Sequence, residues 1–309
     1  MNKLKIVYMG TPGFAVEPLK QLLEDNQKIL AIITAPDKPA GRGKKISESE
    51  VKTFAKDLNI KILQPTNLKY PDFISELKSL NADLFVVVAF RMLPKEVWQI
   101  PKFGTINLHA SLLPDYRGAA PINHAILNGD TETGLTTFFI NEEIDTGNII
   151  FQTKCEILES DNAGTLHDKL MNLGGKLLVK TVNSIANGTA KSIEQDSLKT
   201  DKLRQAPKLN KEFCKLDFNN SAEELHNKVR ALSPYPAAWF ELTNTENTIK
   251  VFETSYEINK HNLEIGKIIS DNKNEIKIAV KDGFLLIHEL QMSGKKRMKT
   301  KDFLNGYKF

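Results

Sequence analysis

Three side chains in this sequence have the types needed to pass an acyl group to an incoming nucleophile: Asn107, His109 and Asp145. Thr105, Ile106 and Leu108 alternate with Asn107 in the manner of a strand, which turns Asn107 and His109 to the same face, one pleat apart. An asparagine carboxamide can hold a developing oxyanion, and an imidazole can shuttle a proton near neutral pH. Asp145 lies in the turn Glu142-Glu143-Ile144-Asp145-Thr146-Gly147; a carboxylate beside an imidazole orients it and balances its charge. Ser111 follows two residues after His109 but lacks the G-x-S-x-G turn that would expose a nucleophile, so direct attack by an external nucleophile is expected. On residue types alone, an ordinary polar strand end fits the same pattern equally well.

The surrounding elements must position these groups. Leu4 to Met9, Lys28 to Thr34, Ile60 to Leu63 and Asp83 to Ala89 read as strands, and helical spacing separates them. This alternation predicts an α/β domain with a Rossmann-like, mostly parallel sheet. Reactive groups where such a strand gives way to a loop sit at the usual ligand-binding edge, and Pro114 ends the strand pattern here. Gly10-Thr11-Pro12-Gly13 lacks the G-x-G-x-x-G spacing, so it predicts a tight turn and no nicotinamide cofactor. Residues 35–45 read as loop, 119–127 as a helix, 134–140 and 148–154 as strands, and 166–185 as a long helix. Polar, aperiodic residues 188–212 read as a linker over the surface. After a helix at 222–232 come short strands separated by Asn, Asp and Gly, which predict a C-terminal OB-like β-barrel. The expected domains are 1–188, a linker at 189–207, and 208–309.

With 41% hydrophobic and 26% charged residues the composition is that of a soluble globular protein. The longest apolar run, Leu84 to Phe90, is too short to span a membrane, and the N-terminus lacks a secretory apolar block, so a cytoplasmic location is expected; the expected oligomeric state is a monomer. Cys155 and Cys214 have no metal-ligand spacing and read as reduced packing residues. From residue 201 onward there are 19 Lys+Arg against 15 Asp+Glu, whereas the first 200 residues balance at 23 each, matching the totals of 42 and 38. That excess is a mild pointer to a polyanion. Arg42, Lys44 and Lys45 in a glycine-bearing loop, and Lys295, Lys296, Arg297 and Lys299 near the end, could meet phosphates. Charge alone favours a solvated loop for the first cluster.

The elements Asn107-Leu108-His109, Ser111-Leu112-Leu113-Pro114, Tyr116-Arg117-Gly118-Ala119-Ala120-Pro121 and Asp145-Thr146-Gly147 closely resemble the folate-dependent formyltransferases. Met9-Gly10-Thr11-Pro12, residues 38–44, Ala206-Pro207-Lys208-Leu209 and Gly294-Lys295-Lys296 resemble the branch acting on initiator tRNA. The resemblance covers nearly the whole chain. It implies transfer of a formyl group from 10-formyltetrahydrofolate to the α-amino group of methionine on initiator tRNA, for translation initiation, without a metal. It further implies catalysis by Asn107, His109 and Asp145, and a folate pocket lined by Phe90, Arg91, Met92, Leu93, Ser111, Leu112, Leu113 and Pro114. Arg42, Lys44, Lys45, Lys295 and Lys296 would then contact tRNA. Arg91 departs from the tRNA-acting relatives, which often carry an aromatic residue and then glycine there. The alternatives are a sugar-amine N-formyltransferase and a non-catalytic RNA-binding protein.

Overall fold

The computed structural model describes residues 3–40, 45–198, 203–242 and 247–309. In chain order the first part holds β1 (Lys5–Gly10), α1 (Val16–Glu24), β2 (Lys28–Ile33), β3 (Lys38–Ala40), β4 (Lys45–Ser47), α2 (Glu50–Ala55), β5 (Lys61–Leu63), α3 (Pro71–Ser79), β6 (Leu84–Val88), α4 (Lys95–Trp98) and β7 (Thr105–His109). There follow β8 (Arg117–Gly118), α5 (Pro121–Leu127), β9 (Glu132–Phe139), β10 (Ile149–Glu156) and α6 (Ala163–Ala186). The main sheet has the order β10-β9-β7-β6-β1-β2-β5. Its five strands from β7 to β5 are parallel, and β9 runs antiparallel to β7. The apolar run of β6 is buried along its whole length, as a central strand covered on both faces requires. Phe85 and Val87 join Val7, Met9, Ile33, Phe73 and Leu77 in one core cluster.

Gly10 closes β1 where space runs out: a Cβ there would lie 2.6 Å from the Ala15 Cβ. The Gly10-Thr11-Pro12-Gly13 turn is thus a steric device that feeds the chain into α1.

Two stretches differ from expectation. The described residues of 35–45, namely 35–40 and 45, are not loop alone, because β3 and β4 pair antiparallel through Lys38↔Ser47, Pro39↔Ile46 and Ala40↔Lys45. Asp37 at the base of this hairpin accepts from Lys52 Nζ at 2.5 Å and Gln64 Nε2 at 2.7 Å. A three-residue ladder held by such tertiary contacts leaves no periodicity to read. Likewise, residues 188–198 and 203–212, the described part of the expected linker, are more than a surface linker; 199–202 lie outside the described residues. Ile193 and Ile149 exchange two backbone hydrogen bonds of 2.8 Å, a 3₁₀ turn spans Gln195–Ser197, and β11 covers Gln205–Ala206. Gln195 and Ala206 are buried.

Backbone contacts divide the chain into two compact units. One comprises Met1–Gly118, Gly134–Cys155 and His167–Arg204; the other comprises Ala119–Thr133, Glu156–Leu166 and Gln205–Phe309. The second unit contains α7 (Ala222–Leu232), β12 (Ala238–Glu241), β13 (Thr248–Ile258), β14 (Ile268–Ser270), β15 (Ile276–Val280), β16 (Gly283–Met292), β17 (Met298–Lys299) and α8 (Thr300–Leu304). Its sheet runs β12-β13-β16-β15-β14 with β17 added on β16, and these neighbouring strands pair antiparallel. Ser221 opens α7 with a reciprocal capping box to Glu224, which satisfies two end amides. Leu225, Val229 and Leu232 then face Val251, Ile278, Leu285 and Leu290 in a single core.

Candidate active site

The parallel sheet delivers Asn107 and His109 at the C-terminal end of β7, where Asn107 lies in register between Val87 and Phe138. Asn107 is half-buried, and among the described residues its carboxamide has no hydrogen-bond partner within the chain. His109 is buried, with Nε2 2.9 Å from the Tyr116 carbonyl oxygen. A carbonyl only accepts, so this contact places a hydrogen on Nε2; in the neutral ring the lone pair then lies on Nδ1. Nδ1 in turn faces Asp145 Oδ2 at 3.8 Å. The same oxygen accepts a 2.9 Å hydrogen bond from the Gly118 amide. A neutral imidazole with its free lone pair opposite a carboxylate can take up a proton and keep the resulting charge balanced.

The loops that close this site are fastened from a distance. Thr136 Oγ1 donates to Ser111 O and accepts from the Leu113 amide, and Gln152 Nε2 donates to Leu113 O. The Ser111-to-Pro114 turn is thereby tied to β9 and β10. Tyr116 adopts φ 61°, its amide donates to Arg204 O at 2.7 Å, and its hydroxyl accepts from Arg204 Nη1 at 2.8 Å. Asp145 sits at φ 55°, a left-handed conformation that costs roughly 1–2 kcal/mol for a residue with a Cβ. Gly147 completes that loop where a Cβ would fall 1.6 Å from Phe139 O. Gln195, with its carboxamide on this loop, was not a sequence candidate; neither were Thr136, Gln152 and Arg204. No local motif surrounds them, and their contacts cross long sequence separations.

Of the expected folate-lining residues, Arg91 and Met92 are exposed and Phe90 is half-buried. Ala89 at φ 46° turns this stretch sharply out of β6. The Arg91 guanidinium donates to the carbonyls of Pro65 and Thr66 and lies 5.6 Å from the Phe90 ring centroid. Although the residue as a whole is exposed, local desolvation of the guanidinium lowers its pKa. Leu93 belongs to the core beneath. Ser111 is fully buried with its hydroxyl donating to Asp115 O, Leu113 packs on Phe138 and Ile149, Pro114 is buried, and Leu112 is half-buried.

Arg42 and Lys44 lie outside the described residues, as does the side chain of Lys45. Lys295 and Lys296 are exposed in the turn after β16. Their neighbours are engaged, Arg297 with Glu289 at 2.5 Å and Lys299 with Glu253 at 2.5 Å. Among the described residues, no group of three or more His, Cys, Asp or Glu is placed to hold a metal, and no helix is long and apolar enough to cross a membrane.

Comparison with known proteins gives a consistent pattern. Residues 3–182 match the formyl transferase family, and residues 208–308 match the formyl transferase C-terminal domain. The chain is 52% identical over 309 residues to a methionyl-tRNA formyltransferase of Bacteroides thetaiotaomicron, covering 99% of this chain and 96% of that relative. It is 52% identical over 312 residues to a methionyl-tRNA formyltransferase of Flavobacterium johnsoniae, covering 100% and 98%. A crystal structure of an N-formyltransferase from Helicobacter canadensis, in complex with folinic acid and dTDP-3-aminofucose, is similar in fold. Its TM-score is 0.65 at 21% identity, covering 96% of this chain and 100% of that one.

Proposed function

Because the chain belongs to the formyl transferase family, we propose that it transfers the formyl group of 10-formyltetrahydrofolate to the α-amino group of methionyl initiator tRNA. The observation that carries this reading is the imidazole of His109, with Nε2 committed to Tyr116 O and Nδ1 open toward Asp145. It lies two residues from the carboxamide of Asn107, which has no hydrogen-bond partner among the described residues.

The donor supplies an electrophilic formyl carbon held by one C–N bond. As the amine nitrogen bonds to that carbon, the Asn107 carboxamide donates to the oxygen that gains charge. His109 Nδ1 receives the proton lost by the amine, with the Asp145 carboxylate balancing the imidazolium. Breaking the old C–N bond leaves a folate nitrogen that takes the same proton back, so the enzyme ends in its starting state. The turns at 90–93 and 111–114 form the folate side of this reading. Phe90 and Met92 present apolar surface there, while Ser111, Leu113 and Pro114 act by shaping the turn from within. Lys295 and Lys296, exposed and free of ion pairs among the described residues, supply tRNA phosphate contacts together with Arg42, Lys44 and Lys45.

The test is an assay of the purified protein with 10-formyltetrahydrofolate and charged initiator methionyl-tRNA, alongside a nucleotide-linked amino sugar. Formylation of the tRNA is expected, and His109→Ala should abolish turnover by at least about 10²-fold while retaining tRNA affinity. Formylation of the sugar amine without the tRNA would overturn the assignment. Equal loss of binding and turnover in the variant would make His109 a structural residue.

A further inference from the structure

We infer that Gln195 is the positioning residue for Asp145, an inference that rests on the reading of Asp145 given above. The residue is 2% exposed, and its side chain uses its whole hydrogen-bonding capacity within this site. Nε2 donates to Asp145 O at 2.9 Å and to Gly147 O at 2.8 Å. Oε1 accepts from Arg117 Nε at 3.1 Å and Nη2 at 2.8 Å. Arg117 is followed directly by Gly118, whose amide donates to Asp145 Oδ2. One carboxamide therefore grips both the main chain that carries the carboxylate and the strand that supplies the carboxylate's hydrogen-bond donor.

This arrangement answers a mechanical problem in the loop. Asp145 holds a left-handed backbone, and such a residue persists only where surrounding bonds over-determine it. The two carbonyls taken by Gln195 bracket the strained unit Asp145-Thr146-Gly147, blocking its relaxation. Gln195 is itself fixed, because Ile193 two residues earlier is bonded in both directions to Ile149 at the start of β10. With both amide hydrogens and both lone pairs occupied, Gln195 has nothing left to offer a substrate. It acts through Asp145. Glutamine also suits the position by chemistry: two carbonyls require two donors, and the Arg117 fork requires an acceptor on the same planar group. Glutamate keeps the size and the Arg117 partner but sets an acceptor against two carbonyl oxygens.

The experiment is a kinetic cycle on the full chain with Gln195→Ala, Gln195→Glu, Asp145→Asn and the Gln195→Ala/Asp145→Asn double variant. Each Gln195 substitution should lower kcat by about 10–100-fold, with KM for tRNA and for the formyl donor within about threefold of wild type. With Asp145 already replaced, Gln195→Ala should remove less than about a further threefold, because residues acting as a unit are non-additive. A purely structural glutamine would multiply the two losses, and that result would overturn the inference. So would full activity of Gln195→Glu, which preserves packing and the Arg117 contact. Amide exchange at Gly118 gives a readout independent of turnover, and both Gln195 variants should exchange there at least about tenfold faster than wild type. Unchanged exchange would overturn the inference. Absence of wild-type formylation would instead remove the functional reading, leaving the exchange result to decide on Gln195.

Discussion

Replacing Asn107 with alanine separates catalysis from folding more cleanly than any other substitution in this site. The carboxamide sits on β7 between Val87 and Phe138, half-buried and without an intrachain partner among the described residues. Its removal therefore strands no buried donor or acceptor, which is the usual source of a large destabilisation. Loss of a few partly exposed side-chain atoms should cost less than about 1 kcal/mol, or roughly 2–4 °C in Tm for a unit of this size. The catalytic loss is larger. Removing one donor from an oxyanion site costs about 2.7–4 kcal/mol, which at 1.36 kcal/mol per decade is about 10²–10³ in kcat. Because the oxyanion exists only in the transition state, KM for either substrate should stay within about threefold. Steady-state formylation of methionyl-tRNA at saturating donor, with a thermal melt of the same preparation, measures both quantities. A large fall in Tm with a proportionate loss of kcat, or a rise in KM at constant kcat, would refute the oxyanion role.

Two further outcomes are expected in the second unit. Lys295→Glu and Lys296→Glu should each raise KM for tRNA while sparing kcat, and each should lower the slope of log affinity against log salt by about 0.7–0.9; unchanged salt dependence would remove this turn from the tRNA surface. His226, bonded through Nδ1 to Thr254 Oγ1, has its pKa lowered from 6.5 to about 4 by burial and then by the charges of Arg230 and His288. The folded state thus prefers the neutral ring, so this stability is complete above pH 6.5 and is lost as pH falls from 6.5 through about 4. Partial exposure discounts the effect to about 1–2 kcal/mol. Urea titrations at pH 7 and pH 4.5 should show His226→Gln losing that much less than wild type, and equal losses would assign the acid sensitivity elsewhere.

The parts of the fold legible in the sequence were those whose signal is local. Val86, Val87 and Val88 announce a buried strand by composition, and α7 occupies the residues its spacing predicts, 222–232. Asn107 and His109 could be placed on one face because side chains alternate along a strand without reference to the rest of the molecule. The β3–β4 hairpin was hidden because its ladder is three residues long and is steadied through Asp37 by Lys52 and Gln64. Gln195 was hidden in a polar, aperiodic stretch for a related reason: its partners, Arg117, Asp145 and Gly147, are remote in sequence. Arg91 could be recognised as unusual, but not that its guanidinium would turn to the carbonyls of Pro65 and Thr66.

The sequence by itself determined which chemical groups are present, the strand that carries two of them, and the family they belong to. Only the tertiary structure decided the working state of those groups. The hydrogen on His109 Nε2 is assigned by a backbone carbonyl, and a carbonyl belongs to every residue, so no residue type could reveal that Tyr116 supplies it. The approach of Asp145 depends on the left-handed backbone at that residue and on the bonds from Gly118 and Gln195. Those bonds exist only once β7, β9, β10 and the segment after α6 have packed together. Alternation along one strand is set by neighbouring peptides, whereas the direction of a proton is set by atoms that only folding brings within 3–4 Å.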